Sequence, residues 1–77
     1  MLEKLIEFYE KEYEETKRLV TQENRPNWVK PKEVVFNTIN TLLRATQFAL
    51  NNGLVTYSEV NPHYEFYYDE LKKLLDK

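Results

Sequence analysis

Seventy-seven residues with 11 basic and 13 acidic side chains, a net charge of −2 and no cysteine describe one small domain. The absent thiols exclude disulfides, thiolate metal sites and a cysteine nucleophile, and a single histidine excludes multi-histidine metal centres. The charge lacks the basic excess of a nucleic-acid binder, and no apolar run approaches the roughly 18 residues of a membrane span.

So short a chain buries only about 60–65% of the surface its unfolded form exposes. It therefore depends on tight helix packing or on self-association. The N-terminus, Met1 to Glu7, is charged and amphipathic, unlike a signal peptide. The expectation is a complete small cytoplasmic protein, folded as a single helical domain over 1–77.

Residues 2–20 place Leu2, Leu5, Ile6, Tyr9, Tyr13, Thr16 and Val20 at spacings of three and four, the stripe of an amphipathic helix. Glu7–Lys11 and Glu14–Arg18 stand in the favourable i,i+4 order, worth about 0.2–0.5 kcal/mol each. The stretch 21–31 contains Pro26 and Pro31 and reads as a long irregular connector. Its Trp28 and Val29 are expected to fold back as a lid on the core, with a binding-site aromatic as the alternative reading of Trp28.

A second helix is expected over 32–52, with Val35, Ile39, Leu42, Leu43, Thr46, Ala49 and Leu50 on its stripe and Pro31 at its start. Gly53 is placed to end it in the left-handed conformation, with Leu54 folding back. Thr56 and Glu59 form a capping-box pattern, which predicts a short helical turn near 56–60. Asn61–Pro62 then reads as a fresh cap and first turn. The third helix is expected over 62–76, with Tyr64, Tyr67, Tyr68, Leu71, Leu74 and Leu75 inward and Lys72, Lys73 and Lys77 at its end. The fold class is all-α, a three-helix bundle.

Catalytic parts are missing. His63, placed in the first turn of the third helix, reads as a surface or capping residue. Glu14 and Glu15 point apart on a solvated helix, and no glycine-rich loop exists to hold a phosphate. No cofactor, metal or small-molecule substrate is implied.

Ala49-x-x-x-Gly53 has helix-turn-helix spacing, with Arg25, Lys30, Lys32 and Arg44 as the basic group it would use. Against this alternative, no Lys or Arg occurs from Leu54 through Leu71, whereas phosphate and base contacts depend on them. A further alternative is an acidic inhibitor that blocks a partner's nucleic-acid site through Glu3, Glu7, Glu10, Glu14 and Glu15. Stacking on single-stranded nucleic acid would need a basic groove beside the tyrosines.

The apolar residues left off the main stripes are Phe8 and Leu19 flanking the first, Val34, Ala45 and Phe48 opposite the second, and Phe66 off the third. Together they predict a second apolar surface for a protein partner or a second copy of the chain. The function expected is a non-catalytic interaction protein, preferably a homodimer.

Overall fold

A computed structural model describes residues 1–22 and 26–76 as a three-helix bundle, with α1 at Leu2–Thr21, α2 at Pro31–Asn51 and α3 at Tyr57–Lys73. A 3-10 turn, Leu74–Asp76, closes the chain. Every helix touches the other two, in a body 41 × 18 × 16 Å. Tyr9 pairs with Thr46 and Thr16 with Thr38, so α1 and α2 run antiparallel. Tyr9 lies against Tyr64 and Tyr13 against Tyr67, so α3 runs parallel to α1.

The core joins Leu5, Tyr9 and Val20 of α1 to Val35, Leu42 and Ala49 of α2 and to Val60 and Leu71 of α3, with Leu74 at the end. Tyr9, Val35, Leu42, Val60 and Leu71 are the fully enclosed members. Removing a Leu or Val of this kind from water is worth about 1.5–3 kcal/mol. The expected stripes therefore form the core, although Ile6 and Tyr68 stay half-buried outside it. Leu43, placed inward by spacing, is exposed at the rim of a groove that α2 forms with α3.

At the end of α2, Gly53 takes φ 68°. Its N–H donates to Leu50 O at 3.1 Å and that of Leu54 to Ala49 O at 2.9 Å, the two bonds of a Schellman cap. The backbone folds back as expected, but Val55 rather than Leu54 is the residue it buries.

The third helix differs from expectation. The 56–60 turn and the 62–76 helix are one element, and Pro62 lies inside it. Thr56 is its cap. Glu59 N–H donates to Thr56 Oγ1 at 3.3 Å, and Thr56 N–H donates to Glu59 Oε1 at 3.0 Å. The Thr56 N–H, and after it the Thr56 hydroxyl, which donates to the same Oε1 at 2.9 Å, hold the Glu59 carboxyl below its usual pKa. With the first-turn donors satisfied there, a second cap at Asn61 has nothing to add. Pro62 forfeits only the bond to the Ser58 carbonyl, and Ser58 is exposed, so water can replace it. His63 accordingly sits half-buried within the helix rather than in its first turn.

The connector also corrects one expectation. Val29 N–H donates to Pro26 O at 3.0 Å, closing a turn. Val29 is drawn in to 5% exposure, while Trp28, at the tip, remains 79% exposed. Trp28 is no lid. Arg25 and Lys77 fall outside the described residues. Among those described, the one ion pair is Lys73 with Glu70 at 3.1 Å. Glu7–Lys11 and Glu14–Arg18 are not closed, since ordering two long side chains in water costs about what such a pair gains.

Candidate docking face

The seam between α1 and α2 is built on buried hydroxyls as well as apolar contacts. Thr46 Oγ1 donates to Leu42 O at 2.7 Å, so its single proton is committed and it accepts from the Tyr9 hydroxyl. Thr38 Oγ1 likewise donates to Val34 O at 3.0 Å and accepts from Thr16 at 2.6 Å. Among the described residues no buried side-chain polar atom lacks a partner. These hydroxyl pairs tie α1 to α2.

On the α3 side the seam is closed by rings. Tyr9 meets Tyr64 edge-on at 6.3 Å and Tyr67 at 5.9 Å, Tyr13 meets Tyr67 at 6.0 Å, and Tyr64 stacks on Tyr68 at 6.1 Å. Burial raises the hydroxyl pKa of Tyr9 above the ordinary 10.0. The nearby Tyr64 adds to that shift. Burial and then Tyr68 raise Tyr64, while burial with the nearby Glu10 and Glu14 raises Tyr67. The tyrosine cluster is thus mostly wall.

The other side of the seam is open. Met1, Lys4, Leu5 and Phe8 of the α1 end face Ala45, Phe48 and Ala49 of α2 across an apolar groove of about 280 Å³. Further along, a second depression of about 260 Å³ is lined by Glu12, Glu15, Thr16 and Leu19 of α1 and by Val34, Asn37, Thr38 and Thr41 of α2. No α3 residue lines either one.

Five of the six residues singled out by sequence therefore share this face. Phe8, Ala45 and Phe48 line the apolar groove, and Leu19 and Val34 line the second depression. Phe66 does not join them. It stands on α3, 54% exposed, with its ring edge-on to Tyr67 at 5.1 Å. Val34 and Ala45 are not opposite the α2 stripe as expected but border it, half-buried and packed against the core. Antiparallel α1 draws them in, whereas Phe48, a further step around the helix, stays 62% exposed. Spacing had missed Met1 and Lys4, although Lys4 stands three residues after Met1 and four before Phe8.

A third groove, of about 320 Å³, lies between α2 and α3, where Leu43, Gln47 and Leu50 meet Tyr57, Asn61 and Tyr64. The acidic residues do not form one face: Glu10 and Glu14 lie toward Tyr67, and Glu15 joins Glu12 in the second depression. Of the basic group, Lys32 lies over the Phe36 ring at 5.9 Å. Ala49 is buried, and Gly53 is spent on the Schellman cap. Among the described residues no group of three His, Cys, Asp or Glu could hold a metal ion, and no helix is long and apolar enough to cross a membrane.

Comparison with known proteins brings no match: no family model fits the chain, and no curated protein or solved structure is significantly similar to it.

Proposed function

We propose that the chain is a small protein-interaction module that acts by binding rather than catalysis, as a homodimer joined through the open α1/α2 face. The observation that carries this reading is the apolar groove under Phe48, with Phe48 62% and Met1 58% exposed at its rim. Its volume of about 280 Å³ falls below the roughly 300–1,000 Å³ of small-molecule sites, which also bring several polar groups to bear on the ligand. The only charged side chain here is Lys4. Such a groove suits the apolar side chains of a protein, and large apolar residues held in water at one place mark an interaction surface.

Sedimentation across a concentration series tests it. The expected species has twice the 9.4 kDa chain mass, and Phe48→Asp shifts it to monomer with an unchanged helical circular-dichroism spectrum, because Phe48 contributes little to the core. A wild-type chain that stays monomeric throughout overturns the reading.

A further inference from the structure

The charges on the open face are sorted along its length. Lys4 sits in the apolar groove, and Glu12 and Glu15 sit in the second depression, on the same side of α1. Two copies stacked with their α1 helices parallel about a two-fold would lay each α1 over the other's α2, whose lining residues carry no charge, and leave Lys4 and the glutamates without partners. Turning one copy end for end brings opposite charges together instead, as complementary interfaces require.

Size restricts the arrangement further. A standard interface takes about 800 Å² from each partner. A body 41 Å long and 18 Å wide approaches that only when its long axis lies along its neighbour's. Crossed stacking would use the width alone.

From these constraints we infer that two copies stack lengthwise and antiparallel about a two-fold axis close to Phe8 and Ala45, so that Lys4 of each copy meets Glu12 and Glu15 of the other. The midpoint between Lys4 and the two glutamates falls at Phe8 and Tyr9. Because Tyr9 pairs with Thr46, Ala45 lies level with it on α2. Ala45 is small, which allows close approach at the axis, and Phe8 and Phe48 on either side become the apolar centre. In a two-fold interface every contact occurs twice. The Lys4 bridges therefore fix direction as well as adding affinity.

This inference rests on the homodimer reading, and its test separates the two. The chain has no cysteine, so single cysteines report proximity without background. A disulfide forms only where Cα atoms come within about 7 Å. Under mild oxidation Ala45→Cys is expected to link to itself, while Met1→Cys and Leu19→Cys are not. Lys4→Cys is expected to link only when mixed with Glu12→Cys.

In sedimentation, Lys4→Glu is expected to weaken the dimer by about tenfold, since two bridges are lost at once. Glu12→Lys with Glu15→Lys weakens it similarly, and the triple substitution restores it. A wild-type monomer defeats the homodimer reading itself. A wild-type dimer in which Met1→Cys and Leu19→Cys link to themselves, or in which the triple substitution fails to restore association, overturns the antiparallel arrangement alone.

Discussion

Replacing Thr46 by valine preserves its shape and β-branching and removes one hydroxyl. Tyr9, at 0% exposure, then keeps a buried O–H with no acceptor. The cost is the desolvation of that donor, about 1–3 kcal/mol. Tyr9→Phe is milder. Thr46 loses an incoming bond but still donates to Leu42 O, so only an ordinary net hydrogen bond disappears, about 0.5–1.5 kcal/mol. When both hydroxyls are removed, no orphan remains, and the double variant is expected to be no worse than Thr46→Val alone. For a domain of this size 1 kcal/mol moves Tm by about 4–8 °C, well within the precision of thermal or urea melts followed at the helical circular-dichroism band. The four chains make a double-mutant cycle with a coupling of about 1 kcal/mol or more. Two losses that simply add, or a Tyr9→Phe as costly as Thr46→Val, would refute the assigned direction of the bond, from Tyr9 to Thr46 to the Leu42 carbonyl.

Gly53→Ala should cost about 1–2 kcal/mol in the same melts. A Cβ there meets nothing within 4 Å, so the whole penalty is the left-handed backbone at φ 68°; Gly53→Asn should cost less. Trp28→Ala should change stability by no more than about 0.5 kcal/mol, whereas a loss of several kcal/mol would restore the lid. Alkali should destabilise the fold. The pKa values of Tyr9, Tyr64 and Tyr67 are raised above 10.0 in the folded state, so their contribution is complete below the unfolded value and is lost as pH climbs through the folded ones. Urea melts between about pH 8 and 12, with phenolate absorbance read alongside, check the sign. Stability that rises with pH over that range would contradict it.

The fold was legible wherever one rule acted alone. Three- and four-residue spacing placed Tyr9, Leu42 and Leu71 inside, and Gly53 ended α2 through backbone sterics that need no tertiary context. The start of α3 was not legible, because two valid capping signals, Thr56 and Asn61, stood five residues apart. Which one operates depends on whether the chain between them can stay helical through Pro62. Trp28 misled for a related reason: hydrophobicity argues for burial, but a turn closed by Pro26 and Val29 decides which neighbour points inward. The candidate docking face was half legible. Helical angle alone separated Phe48 from the core but set Val34 and Ala45 too far out, since the direction of approach of α1 appears nowhere in the local pattern. Thr38 was not foreseen as buried at all, for its partner Thr16 lies on another helix.

The two buried hydroxyl pairs carry a consequence for how this chain can drift in evolution. Tyr9 with Thr46, and Thr16 with Thr38, are each tolerable as two polar residues or as two apolar ones, and poor as one of each. In diverged relatives these positions should covary, with phenylalanine at 9 accompanying valine at 46 and an aliphatic residue at 16 accompanying one at 38. That linked pattern, seven residues apart on one helix and eight on the next, would mark common descent after the surface had lost every trace of it.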